Sequence, residues 1–382
     1  MSCSVRFARP EDGEALLSLT RIPMRGTVSV SFPHNDDFFA AEALKGRDPK
    51  HFLWSDDATG EIFGFGLRCE KKVYFDSQAV TAEYLGSLRL RPEKRWSRAL
   101  FRGYELLREY DAEHPTPVCF TTIVSDNTAA IRVLEGGRCG LPLYRPQNRF
   151  RTILVSPAAV RADTIMNKDL EVCRGTESER AEIFDFYNRT ARHLDFFPVF
   201  EGDRFPAQLE ASDFLVVREN GAITACGAVV DPRKYRQIHI DGYAPWLRLC
   251  RPAVNAALAL ARGPRLPRPG SDLDHRILAY WCVSEDGRPE RFPVRKRGRV
   301  IIWKNMPKGA PSARLDALLR AAADAIPRQS MLMLAAHETS RFFPQLCRMT
   351  HWGYDSNLYT VSWPDRPTVD CANVPYLELL EV

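Results

Sequence analysis

The stretch Arg91–Leu107 reads RPEKRWSRALFRGYELL. Four cationic side chains, Arg91, Lys94, Arg95 and Arg98, crowd together where a strand gives way to a helix. The first amides of a helix have no intrahelical partner and carry the positive end of its dipole, so such a turn is a ready seat for phosphate. Glycine normally lets the backbone approach the anion there, but this stretch has none before Gly103. Ser97 is a small residue that can cap the helix, and its hydroxyl can bind a phosphate oxygen. The chemistry on offer is therefore capture of a phosphate-bearing ligand. The competing reading is a basic, solvated helix start.

The elements that must hold this turn are legible around it. Tyr84–Leu90, YLGSLRL, is a long strand ended by Pro92. A helix follows from about Ser97 to Tyr110, with Leu100, Tyr104 and Leu107 at i, i+4 and i+7 forming one stripe. Val118–Val124, VCFTTIV, is a second strand, and Asp126 or Asn127 can cap the helix after it. Upstream, Val5–Leu19 is a strand and an amphipathic helix with Pro10 near the helix start.

The chain writes this plan twice. His51–Arg68 and Asp213–Val230 are both hairpins, each a short apolar strand, a turn closed by glycine and an alternating strand. Gly60 and Gly221, Ile62 and Ile223, and Gly66 and Gly227 all stand 161 residues apart. Leu170–Tyr187 repeats the opening strand and helix, with Thr176 as N-cap, and the halves end on Phe150–Val155 and Leu358–Trp363. An insertion between about Asp231 and Arg276 lengthens the second half. The expected division is a domain over 1–156, a linker over 157–169, a second domain over 170–366 and a tail over 367–382.

The residues LGSLRLRPEKRWSRAL followed by TTIVSDNTAAIRVLE resemble a GCN5-related N-acetyltransferase. The resemblance implies an α/β fold, here two domains that each have a mixed, mainly antiparallel sheet flanked by helices. It also implies acetyl-CoA as co-substrate, with the long strand binding the pantetheine arm and the next turn the pyrophosphate. The family writes that turn Gln/Arg-x-x-Gly-x-Gly/Ala. In the preferred register Lys94 takes the first place, Ser97 replaces Gly and Ala99 is kept. In the other, Arg95 is first, and Arg98 and Leu100 replace both small residues. Asn127 with Ala130 matches the family's Asn-x-x-Ala. The cofactor-side candidates are Leu88, Leu90, Lys94, Arg95, Trp96, Ser97, Arg98, Ala99 and Asn127.

The general acid and base are less well marked. The family's tyrosine, seven residues after the Asn, is Leu134 here, and Tyr144 in the next loop is the substitute candidate. Glu83 stands near the start of the long strand as candidate base, with Tyr84 on the opposite face by alternation. His34 and His51 are further candidates that nothing ranks. The second half is similar to the same domain with its cofactor turn gone. Ile277–Val283 reads as its long strand and Ala313–Ile326 as its helix, capped by Ser312, with the charge run Arg295–Arg299 between them. His193, Trp281 and His337 are among its candidate pocket residues.

The totals bound these readings. With 382 residues, 45% hydrophobic and 26% charged, the chain is globular and long enough for two cores. A net charge of +5 tolerates anionic ligands without calling for nucleic acid. Ten cysteines without CxxC pairs argue against a zinc or disulfide scaffold and for a reducing compartment. The N-terminus lacks the apolar core of a signal peptide, and no apolar run reaches spanning length. The expectation is a cytoplasmic N-acetyltransferase that needs no metal or membrane and acts on a small-molecule or peptide amine. Two alternatives stay open, a non-catalytic relative that binds or scaffolds and a transferase using aminoacyl-tRNA.

Overall fold

The computed structural model describes residues 3–24, 26–35, 37–94, 99–137, 140–284, 312–349 and 351–382. Twelve strands form one continuous sheet: β1 (Cys3–Phe7), β2 (Arg47–Asp56), β3 (Ile62–Phe75), β4 (Gln78–Leu90), β5 (Cys119–Val124), β6 (Leu143–Val155), β7 (Leu170–Arg174), β8 (Phe214–Glu219), β9 (Ala222–Val230), β10 (His275–Val283), β11 (Met331–His337) and β12 (His351–Ser362). Their spatial order is β1-β2-β3-β4-β5-β12-β6-β11-β10-β9-β8-β7. The repeat seen in the sequence is a repeat of pairing. β1 or β7 lies antiparallel to a hairpin, the hairpin's second strand to a long strand, and that strand parallel to the next. The hairpin turns carry Gly60 and Gly221 at φ 72° and 82°, a left-handed conformation open to glycine.

The last strand of each half is exchanged. Leu358–Trp363 closes the second half in sequence, yet β12 pairs with β5 of the first, Tyr359 opposite Thr121. Likewise β6 pairs with β11 of the second half, Ile153 opposite Leu334. The exchanged strands then pair with each other, Ile153 opposite Gly353, and join the two halves into one sheet.

Nine helices among the described residues cover the faces: α1 (Gly13–Thr20), α2 (Phe38–Glu42), α3 (Ala99–Glu113), α4 (Thr128–Leu134), α5 (Pro157–Asp163), α6 (Arg180–Thr190), α7 (Pro245–Leu260), α8 (Ala313–Asp324) and α9 (Phe343–Leu346). The expected stripe of α3 is buried at Leu100, Tyr104 and Leu107. A capping box, Thr176 with Glu179, opens the turn into α6. Ser312 caps α8, which buries Leu315, Leu318, Leu319 and Ala322. β9, β10 and β11 read as unbroken apolar runs because both their faces are covered. Residues 157–163 of the expected linker form α5. The expected tail packs inward, burying Tyr376, Leu377, Leu379 and Leu380 in the largest core.

Candidate functional site

Each half contains a parallel strand pair that begins together and then parts. β4 and β5 hold for three residue pairs, Glu83–Cys119, Tyr84–Phe120 and Leu85–Thr121. Thr121 Oγ1 donates to the Leu85 carbonyl at 2.6 Å and closes the last of them. Two residues later Ser87 lies at φ 53°, and the β3–β4 register slips there, opposite Gly66. This is a β-bulge, which bends the strand and re-aims its polar groups. A Cβ on Gly66 would lie 2.5 Å from the Phe52 ring, so the position needs glycine. The second half repeats the device. β10 and β11 hold for three pairs, Tyr280 lies at φ 52°, and the register slips opposite Gly227.

The expected cofactor-side residues that are described stand on β4 and at the starts of α3 and α4. Leu88, just past the bulge, is exposed at the mouth of the first notch. Leu90 and Ala99 pack with Trp54 beneath the start of α3. Asn127 caps α4, its Oδ1 accepting from the Ala130 amide at 3.3 Å. Pro92–Lys94 form a short 3-10 turn leading to α3. The side chain of Lys94, and Arg95, Trp96, Ser97 and Arg98, lie outside the described residues, as does the charge run Arg295–Arg299.

The two expected catalytic residues stand elsewhere, on the face covered by α3. Glu83 is buried with Arg68 and Asp111, its Oε2 3.8 Å from Arg68 Nε. Burial and the facing Asp111 carboxyl push Glu83 up to about 8 against the pull of Arg68. Glu83 and Asp111 thus form a proton-sharing pair beside one guanidinium. Tyr144 is three strands away on β6, its hydroxyl 2.5 Å from that of Tyr104. Burial and Tyr104 push the Tyr144 phenol well up. Tyr144 belongs to the cluster under α3 and α4.

The Glu83 pair makes a pH prediction. A carboxyl raised by folding adds stability below its unfolded value and loses it as pH climbs through its folded value. Wild type should therefore lose more stability between about pH 5 and pH 9 than Glu83→Gln does, read from urea midpoints. Glu378 is pushed up to about 7 by burial and Glu381 and remains in both proteins, so the difference isolates the Glu83–Asp111 pair. Parallel pH profiles would contradict the shared proton.

On the opposite face, beside α2, lies a cluster that spacing did not reveal. Glu42 is fully buried. Its Oε1 lies 2.6 Å from His34 Nε2 and 2.7 Å from Lys45 Nζ, and its Oε2 lies 3.2 Å from His51 Nε2. Ser87, the bulge residue, donates to Glu42 Oε2 at 3.1 Å and accepts from Lys45 Nζ at 2.7 Å. Burial alone would raise the Glu42 carboxyl. The Lys45 charge and the hydrogen bonds from His34 and His51 outweigh it and hold Glu42 well below the usual carboxylate range. His34 and His51, unranked in the sequence, thus meet on one carboxylate that touches the bulge of the parting strand.

The second notch holds a cavity of about 320 Å3, the size of a small-ligand pocket. Trp281, Val283, Ala335, Ala336, Phe342 and Tyr376 make it largely apolar, and His193 and His337 join them as the sequence suggests. His337 Nε2 donates to the Gln147 carbonyl at 2.9 Å and Nδ1 accepts from Thr339, while burial pushes the ring down to about 4, so it is neutral. The Tyr280 amide at the bulge donates to Glu378 Oε2 at 2.5 Å. Trp281 Nε1 donates to the Ala335 carbonyl at 3.1 Å and bridges the parted strands. The tail and an indole thus occupy polar groups of the second notch.

No protein-family model matches the chain, and no curated protein matches it in sequence. Solved structures do match. Saccharomyces cerevisiae N-myristoyltransferase with bound myristoyl-CoA aligns over 99% of this chain and 90% of its own, at 12% identity and a TM-score of 0.56. The GCN5-related glucosamine N-acetyltransferase region of a fungal multi-domain GH3 β-N-acetylglucosaminidase aligns over 94% of this chain and 38% of that one, at 12% identity and 0.57. A GCN5-related N-acetyltransferase from Anabaena variabilis aligns over 94% and 72%, at 9% identity and 0.50. The chain has the GCN5-related N-acetyltransferase fold. Within that fold, a parallel pair that parts at a bulge occurs in each half.

Proposed function

We propose that the protein is an N-acyltransferase that moves the acyl group of a CoA thioester, acetyl-CoA in the first instance, to an amine at the first notch. The observation that carries this reading is the parting of β4 from β5 at Ser87, beside the start of α3. Past Leu85 the inner edge of β4 has no strand partner among the described residues, so an extended pantetheine arm would pair with it near Leu88. The basic turn of Lys94 to Arg98 would meet the phosphates. The bulge backbone would stabilise charge on the thioester oxygen as it develops.

The acceptor approaches from the α1–α2 face, where Ser87 leads to Glu42. An ammonium acceptor docks against the Ser87 hydroxyl and the Glu42 carboxylate behind it, which is held too acidic to keep a proton, and gives up its proton to water. The freed nitrogen then forms the C–N bond, the C–S bond breaks, and the thiolate takes a proton from the adduct nitrogen or from water. The Glu83 pair, on the other face, holds the sheet to α3. The duplicated plan supports a division of labour between the halves. The second notch has lost its bulge amide to Glu378, which suits it to binding rather than to acyl transfer. The test is amine-dependent release of CoA from acetyl-CoA, followed by mass spectrometry with pooled amines. The reading expects release by wild type and its loss in folded Glu42→Gln; release that is equal in both would overturn the role of Glu42.

A further inference from the structure

We propose that α7 is a membrane-surface helix that seats the protein on an anionic bilayer. The proposal stands apart from the acyl-transfer reading. α7 lies in the insertion of the second half, the segment without a counterpart in the first. It has sixteen residues and is apolar on two sides. One side faces the protein, where Leu247 is buried and Val254 and Leu258 are half-buried. The Asn255 side chain ties this side down, accepting from the Leu266 amide at 2.7 Å and donating to its carbonyl at 3.2 Å.

The other side faces solvent. Trp246, Leu249, Ala253, Ala256 and Leu260 fall at i, i+3, i+7, i+10 and i+14, one stripe along the helix. All five are exposed, with Trp246 at 60%, Leu249 at 82% and Leu260 at 89%. A helix that is apolar all round belongs in a core or against lipid. Sixteen residues are too few to span a bilayer, and no helix of the described residues is long and apolar enough to cross one. The covering phase therefore lies along the helix rather than around it.

Charge selects the occupant. Between Asp241 and Asp272 there are five arginines, Arg248, Arg251, Arg262, Arg265 and Arg268, and no lysine, aspartate or glutamate. None of the five is ion-paired among the described residues, and all but the half-buried Arg251 are exposed. A second copy of this surface would meet the first with like charge. A leaflet rich in anionic phosphates would meet it with opposite charge, while Trp246, Leu249 and Leu260 enter the boundary between headgroups and acyl chains. The geometry also orients the molecule. The base of α7 joins a three-stranded side sheet, Val28–Ser31 with His239–Tyr243 and Ser271–Asp272, and the Ala244 amide donates to the Thr27 carbonyl at 2.9 Å. The helix is thus mounted on the first-half segment between α1 and α2.

The test is sedimentation of the full chain with lipid vesicles. The expected result is binding to phosphatidylcholine vesicles holding about a third phosphatidylglycerol, weakened about tenfold on pure phosphatidylcholine or in high salt. Leu249→Glu, at an exposed position, should weaken it about tenfold, as should the triple change Arg262→Ser, Arg265→Ser, Arg268→Ser. Circular dichroism and melting curves identical to wild type would show both variants folded. No binding to the anionic vesicles overturns the proposal, and so does binding indifferent to both variants. Self-association without vesicles that Leu249→Glu abolishes, seen by sedimentation velocity, would overturn it in favour of a second copy as the occupant.

Discussion

Glu42→Ala should cost the protein about 3–5 kcal/mol of stability, the range seen when one partner of a buried ion pair is removed. The reason is what the alanine leaves behind. Lys45 is buried and its ammonium lies 2.7 Å from Glu42, with the rings of His34 and His51 on the same carboxylate. Burial already pulls the Lys45 ammonium down, so without the carboxylate it must shed its proton or draw in water. The substitution also leaves a void beside Phe38, which stacks on His34 at a ring separation of 5.4 Å. Glu42→Gln keeps the shape and two hydrogen bonds, so it should cost less and separate loss of fold from loss of transfer. The sign of the pH dependence follows from the lowered Glu42 carboxyl. Its contribution is present above the ordinary carboxylate range and is lost as pH falls through its folded value. Urea midpoints at neutral and acid pH measure both effects. A neutral-pH shift below about 1 kcal/mol would show the cluster to be solvated and its ion pair weak.

Arg68→Met should destabilise by a similar amount, about 3 kcal/mol or more. Arg68 has no exposed surface, a rare state for arginine. Its guanidinium donates to Glu70 at 2.9 Å and to the His114 carbonyl at 3.4 Å, and stands 3.8 Å from Glu83 and 3.9 Å from Asp111. It also lies over the Tyr110 ring at 5.1 Å. Methionine would fill much of the volume but leave two facing acidic groups with no cation between them. Glu83→Gln added to Arg68→Met should recover a large part of the loss, because it removes the facing acid. Additive losses in the double variant would contradict the coupling, and the double-mutant cycle reads that directly.

Much of the fold was legible because its cues are local. Turn glycines at Gly60 and Gly221, the stripe of α3 and the caps at Asn127, Thr176 and Ser312 each follow from a few neighbouring residues. The exchange of β6 and β12 was not legible. Phe150–Val155 and Leu358–Trp363 are both apolar strands, and nothing local says which half each one joins. The site divided in the same way. The basic segment Lys94–Arg98 is marked by composition alone and lies largely outside the described residues. The bulge does not, since a serine at positive φ follows from no propensity rule. Its one trace was the matched pair Gly66 and Gly227, which proves to mark both bulges. Glu42 and Lys45 sit in FFAAEALK, which reads as an ordinary helix with charges outward. Only tertiary packing turns them inward beside His34 and His51. Alternation separated Glu83 from Tyr84 correctly, but it could not say which face carries the chemistry.

Binding of a CoA thioester at the first notch is tested by calorimetric titration of the full chain with acetyl-CoA, run beside two variants. Arg95→Glu, Arg98→Glu reverses the charge of the segment proposed to meet the phosphates, and Ala336→Phe fills the cavity of the second notch. Wild type should bind saturably, keep its binding when the second cavity is filled, and lose at least about tenfold in affinity when the charge of the basic segment is reversed. Absence of binding to the folded wild type, or binding that survives the charge reversal and disappears with the filled cavity, would rule out a CoA site at the first notch.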